Sequence, residues 1–242
     1  MSKQIVKQEN QEVAIASDDL QKLFPLAGNV EGIEVRPPKI SIISQAQLFR
    51  MPDDSKVPSI TGIVVYSHRC NGYWEKDMAE GGAGNPPDCA SLDGLTPYTD
   101  KPMSKTCVEC QFNQFGSDGG RGKACKNMQR IYILVNDSII PFLVTLSPTS
   151  LRSWSDYMVV LTSMTKKAYQ QVITQITLKE TKNKDNISYS QAELKTVGLV
   201  DDKNELMKIK SMLEGLRGKK IEVAADEYIE ADPLKKNPGD CF

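Results

Sequence analysis

The sequence predicts a mainly β protein with two helices and one long irregular insert. Three observations lead there: runs of β-branched residues on both sides of the chain's middle, a change to helical spacing in two places, and a glycine- and proline-rich stretch around four of the six cysteines. The 242 residues carry 30 Lys plus Arg against 31 Asp plus Glu, a net charge of −1, and 40% hydrophobic residues. Such a composition suits one large domain with an insertion and excludes a bulk polycation, while leaving room for a basic site on one face. No apolar run approaches the roughly 18 residues of a membrane helix, and the first residues lack the apolar core of a signal peptide. The expected address is therefore cytoplasmic, with no membrane partner.

Residues 1–36 are polar apart from 20–26 and read as an N-terminal arm. Residues 39–44 and 59–68 are rich in Ile and Val and read as strands, and Tyr73-Trp74-Glu75 reads as the continuation of a hairpin. Within residues 81–122 there are eight Gly and four Pro, too many for continuous helix or sheet. After this stretch, residues 130–135 and 139–146 flank the turn signal at Asn136-Asp137-Ser138 and form a hairpin. Leu151, Trp154, Met158, Leu161 and Met164 then fall on one helical face, with Ser147 or Ser150 as the expected cap. Residues 170–179 return to the strand pattern and pair, across the charged turn at 182–186, with a strand from Ile187. Leu206, Ile209, Met212, Leu213 and Leu216 mark a C-terminal helix within 201–221. The remaining residues, 222–242, hold six acids and two lysines and read as a mobile acidic tail.

Five cysteines fall between positions 70 and 125. Cys107 and Cys110 stand in the C-x-x-C spacing at which a tight turn lets two thiolates chelate one ion, with 17 residues between Cys89 and Cys107 and 14 between Cys110 and Cys125. Four thiolates make a closed, structural zinc site, so Cys89, Cys107, Cys110 and Cys125 are the expected ligands and Zn²⁺ the expected structural cofactor. Cys70 and the sole histidine, His68, are reserves; Cys70 reads first as a small buried apolar residue and His68 as an ordinary surface or core histidine.

Catalysis finds no support. A thioredoxin-like C-x-x-C would open a helix, but residues 111–117 are loop-like. The segment 116–124 resembles a phosphate-binding P-loop only in part, since Ser117 stands where the first glycine belongs and Ala124 where the Mg²⁺-binding hydroxyl belongs. No nucleophile and base pair is visible.

Residues 101–130 carry six basic and two acidic side chains, interleaved with aromatic rings. Cations beside rings are what unpaired nucleic acid needs, a charge for each phosphate and a face for each base. Tyr73, Trp74, Phe112, Phe115 and Tyr132 are the candidate stacking rings, and Arg121, Lys123, Lys126 and Arg130 the candidate phosphate contacts, with the backbone N–H groups of the glycine-rich loop beside them. Tyr66 and Trp154 read as core. The order strand, strand, insert, strand, helix, strand, strand matches the five-stranded OB-like barrel, which puts the zinc insert (about 80–128) of the 37–200 domain between the second and third strands, at the oligonucleotide-binding face.

Tyr73-Trp74, the run from Pro86 to Ser91, Cys107-x-x-Cys110-x-Phe112-Asn113-Gln114-Phe115-Gly116-Ser117 and Gly122-Lys123-Ala124-Cys125-Lys126 together resemble a family of zinc-containing phage and mobile-element proteins. The layout also resembles the single-stranded DNA-binding proteins of T-even phages, which carry a zinc subdomain within an OB fold. The resemblance implies a protein of a bacterial host's cytoplasm that coats single-stranded DNA in phage or mobile-element replication and recombination. Replication or recombination proteins would dock on the acidic tail, which ends in Phe242. The alternative is a zinc-stabilised protein-interaction adaptor or host-factor inhibitor.

Overall fold

Val and Ile fill the first half of the strand β4 (Ser59–Tyr73), which runs through the centre of a mixed sheet of nine strands among the described residues. The computed structural model describes residues 29, 31–32, 35–75, 86–120, 122–135, 138–182, 186 and 188–217. The chain divides into two units, Met1–Arg36 and Pro37–Phe242. The first contributes a turn at Glu31-Gly32; most of the expected arm, and the whole acidic tail with Phe242, lie outside the described residues. All that follows concerns the second unit.

The sheet also contains β1 (Lys39–Ile43), β2 (Leu48–Arg50), β3 (Lys56–Val57), β5 (Cys89–Ser91), β6 (Lys126–Val135), β7 (Phe142–Leu146), β8 (Val172–Lys182) and β9 (Ser188–Leu199). Their order is β3-β2-β1-β7-β6-β4-β8-β9, with β5 added to β4. β6 pairs with β4 from Gly62 to Gly72, while on the other edge β8 takes residues 59–62 and β5 takes 71–73. Both expected hairpins form, β6 with β7 and β8 with β9.

One assignment changes. β1 does not neighbour β4 as chain order suggests: it runs parallel to β7, with Lys39 opposite Leu143 and Ile40 opposite Val144. The insert consequently joins two adjacent central strands, β4 and β6, and nine strands stand where five were expected.

The inward residues of β4 and β6, Ile60, Val64, Ile131 and Ile133, share one buried cluster with Ile40 of β1, Phe49 of β2 and Ala192 of β9. Strands from both flanks of the order touch one core, so the sheet is curled. Two serines bind the flanks together: the Ser190 N–H donates to Ser44 Oγ at 3.3 Å, and Ser190 Oγ donates to the Ser44 carbonyl at 2.7 Å. Each such apolar side chain contributes about 1.5–3 kcal/mol by leaving water.

Helix α1 (Leu151–Val160) closes the open end of this core with Trp154. Ser150 stands at its N-cap, as expected, but without a side-chain capping hydrogen bond. Ser150 Oγ instead accepts the Ala192 N–H at 2.9 Å, and Ser147 shares a hydrogen bond with Thr149. The helix continues as a wider π turn over Leu161–Thr165, which rotates Met164 off the apolar face and leaves it 78% exposed. Helix α2 (Lys203–Arg217) covers the opposite side of the sheet, placing Ile209 against Val65 and Leu134.

Candidate metal centre and its surroundings

The end of β4 positions the cysteines. Tyr73 pairs with Cys89 of β5 on one edge, and on the other Gly72 pairs with Lys126, the residue after Cys125. Two cysteines from opposite ends of the insert are thus delivered to neighbouring strands. The other two arrive on the turn before a short 3-10 segment, Gln111–Asn113. Phe112 of that segment stacks on Tyr73 with ring centroids 4.2 Å apart, and its carbonyl accepts the Cys125 N–H at 2.8 Å. On the approach, the Leu95 carbonyl accepts the Cys107 N–H at 2.8 Å.

All four thiols line one cavity of about 10 Å³, walled otherwise by residues such as Ala90, Met103 and Phe112. None is in a disulfide. Burial pushes the Cys125 thiol up to about 12, reinforced by Cys107, Cys110 and Cys89 and opposed by Lys123. The four are therefore close enough to repel one another as thiolates. They are not drawn into a coordination shell: among the described residues no group of three or more His, Cys, Asp or Glu side chains is gathered closely enough to hold a metal ion. Cys70 and His68 do not line the cavity. Cys70 packs with Ala90 and Met128, and the His68 ring stacks with Tyr66 and Tyr132 while its Nδ1 lies 2.7 Å from the Leu92 carbonyl oxygen.

The residues around Cys107 and Cys110 hold the turn itself. Asn113 Nδ2 donates to the Cys107 carbonyl at 2.7 Å, and Gln114 Nε2 donates to the Val108 carbonyl at 2.8 Å. Ser117 Oγ donates to the Phe112 carbonyl at 2.8 Å and accepts the Ala124 N–H at 2.9 Å, so it ties the two halves of the loop. Gly116 has φ +90°, a left-handed conformation that a side chain would strain. Asn113 reaches further: its Oδ1 accepts from Lys123 at 3.2 Å and from Asn127 of β6 at 2.9 Å, and Asn127 also donates to Asn71 of β4 at 2.8 Å. This amide chain fixes the turn to the sheet.

A second support is Asp93, whose Oδ1 accepts the N–H groups of Leu95 and Thr96, each at 2.7 Å, and the Ser91 hydroxyl at 2.8 Å. Burial raises its carboxyl, but the Thr96, Leu95 and Ser91 hydrogen bonds outweigh this and hold it below the usual carboxylate range.

The expected nucleic-acid contacts do not share one environment. Arg130 is 0% exposed and Tyr132 2% exposed, so neither presents a surface to a ligand. Their strand is covered on both faces, by the core on one side and by the ring stack and α2 on the other. Tyr73, buried under Phe112, and Trp74, folded over Gly72 beside Cys70, are likewise packing residues. Arg121 lies outside the described residues. Lys126 is half-buried and donates to the Lys123 carbonyl at 3.1 Å. Phe115 alone among the expected rings stands out, 83% exposed, with Lys123 Nζ 5.0 Å from its centroid.

The glycine-rich loop also differs from expectation. Its N–H groups at Gly120 and Gly122 donate to Asp118 Oδ1, at 2.9 and 3.0 Å, so this chain's own carboxylate occupies the place expected for a phosphate. A side chain at 122 would meet that carboxylate and push it from its place.

Comparison with protein-family models, with curated proteins and with solved structures finds no match to this chain. Its function must be argued from its own chemistry.

Proposed function

We propose that the chain is a zinc-stapled, OB-like protein that binds single-stranded DNA, with the insert as part of the contact surface. The observation that carries this reading is Phe115: a ring 83% exposed, on a turn braced by side-chain hydrogen bonds, with an ammonium group 5.0 Å from its face. An exposed ring beside a fixed cation suits a base and the phosphate next to it.

The sheet supports the fold half of the proposal. If β1, β2, β3 and β5 are set aside as added strands, β4, β6, β7, β8 and β9 become the five barrel strands, in the spatial order β7-β6-β4-β8-β9 with α1 between the third and fourth in sequence. In this assignment the insert connects the first and second strands, one of the connections that OB folds use for oligonucleotides.

The metal half rests on the donor set. Four thiols around an atom-sized apolar cavity would repel one another once ionised, and a bound Zn²⁺ would supply the compensating charge. Cys89, Cys107, Cys110 and Cys125 would be the ligands, with Asn113 and Gln114 holding the carbonyls between them.

Val108 is 66% exposed on the Cys107–Cys110 turn, and exposed apolar side chains at Val108 and Phe115 of the insert also suit a protein partner, the adaptor reading. Fluorescence-anisotropy titration of single-stranded and duplex oligonucleotides at two salt concentrations separates the two. The DNA reading expects preference for the single strand, affinity falling with salt, and a cost of about 1–3 kcal/mol for Phe115→Ala at unchanged melting temperature. Salt-independent binding, or none at all, would turn the argument to the adaptor.

A further inference from the structure

A groove of about 520 Å³ lies between the insert, the β4–β6 pair and α1. Its walls are Leu95 and Val108 from the insert, Arg69 and Gln129 from the paired strands, and Trp154 and Met158 from the helix. Arg69 and Gln129 are directly opposite in the β4–β6 register, so the hairpin that carries the insert also sets the groove's floor.

Three properties bear on what it can hold. First, its lining contains two cations, Arg69 and Lys123, and no Asp or Glu, although about one residue in eight of the chain is acidic. Second, three of the uncharged polar residues in the wall form the chain of amides from Asn71 through Asn127 to Asn113, held in place by its own hydrogen bonds. Third, Lys123 belongs both to the groove and to the Phe115 tip, so the two surfaces are continuous. The volume falls within the range of roughly 300–1,000 Å³ that takes a small molecule of nucleotide size.

We infer that this groove is the track of the nucleic-acid backbone: a strand whose base stacks on Phe115 passes Lys123 and lays the adjoining nucleotide between the insert and α1, with its phosphate at Arg69. The inference rests on the single-stranded DNA reading and deepens it, since it moves the phosphate contacts from the backbone N–H groups of the glycine-rich loop, which Asp118 takes, to the side chains of Lys123 and Arg69 in the groove. Arg69 is exposed and, among the described residues, takes part in no ion pair, so its guanidinium is available to a phosphate. Carboxylates would repel a strand along such a path, and the lining has none.

Two variants test it, each titrated against a single-stranded oligonucleotide by anisotropy over a range of salt. Ser155 lies on the exposed side of α1 and its hydroxyl donates only within the helix, to the Leu151 carbonyl at 3.0 Å. Ser155→Trp should fill the groove and weaken binding at least tenfold with zinc content and melting temperature unchanged. Arg69→Ala should flatten the slope of log K against log salt by about 0.7, one single-strand phosphate contact. If Ser155→Trp lowers the melting temperature, Arg69→Ala carries the test alone. Wild-type affinity and slope in Arg69→Ala, with Phe115→Ala still weakened, would overturn the groove while the proposed function stood. A wild-type protein that does not bind the oligonucleotide would remove both.

Discussion

The curled sheet and the cysteine insert are built on different physics. In the sheet, side chains such as Ile131, Ile133, Val144 and Leu146 are removed from water, and the backbone is paired strand to strand. In the insert the apolar residues are few and Val108 and Phe115 face solvent, so shape comes from side chains bonded to backbone: Asp93, Asn113, Gln114, Ser117 and Asp118 each hold a turn. The sheet's stability is spread over many contacts and tolerates the loss of any one turn. The insert depends on a small number of polar contacts and on whatever holds its thiols together.

The sharpest break between the two regions should come from Cys110→Ser. If the thiols hold zinc, the variant loses stoichiometric metal by elemental analysis, and hydrogen exchange rises across residues 86–125 while β6, β7 and β8 remain protected. Wild-type protein free of metal would remove the staple from the comparison. The converse change, Ile131→Ala, should cost about 2–5 kcal/mol in global unfolding, measured by urea denaturation, with zinc content unaltered. Between them stands Asn113→Ala, which cuts the amide chain joining the knuckle to the sheet. We expect an effect of about 1–3 kcal/mol from the groups left unpaired, seen as faster exchange in the insert and easier loss of zinc to a chelator. The smallest effect is that of pH. Because the Asp93 carboxyl titrates below its ordinary range in the folded protein, its contribution is present above about pH 4 and is lost as pH falls through the lower, folded value. Leu95 and Thr96 amide protection, corrected for intrinsic exchange, should therefore fall in that acid window, and Asp93→Asn should abolish the pH dependence.

Much of this architecture was legible because it is local. The two hairpins follow from strand runs around turns, both helices from their apolar spacing, and the convergence of Cys89, Cys107, Cys110 and Cys125 from their positions alone. What escaped is non-local. Nothing near Lys39 indicates that its strand pairs with Leu143 rather than with its successor in the chain. Arg130 and Tyr132 read as contacts because their charge and ring drew attention, yet both stand in a run, from Arg130 to Val135, with no polar alternation. Such a run signals a strand covered on both faces. Trp74 was misplaced because a ring next to a glycine can fold back over it, as it does over Gly72. The roles of Asn113, Gln114 and Ser117 as braces, and of Arg69 and Gln129 as a groove floor, required the register across an insert of more than fifty residues.

The serines that meet β9, Ser44 and Ser150, have a consequence for how copies of the chain coexist at high concentration. A terminal strand of twelve residues would ordinarily offer a row of unused donors, a template on which another chain could add itself. Here the N–H groups of Ser190 and Ala192 are already spent on the hydroxyls of Ser44 and Ser150, side chains that cannot continue a ladder. Where a fully closed barrel would seal this margin with another strand, the protein seals its first half with two alcohols, and so limits edge-to-edge polymerisation without requiring the sheet to close.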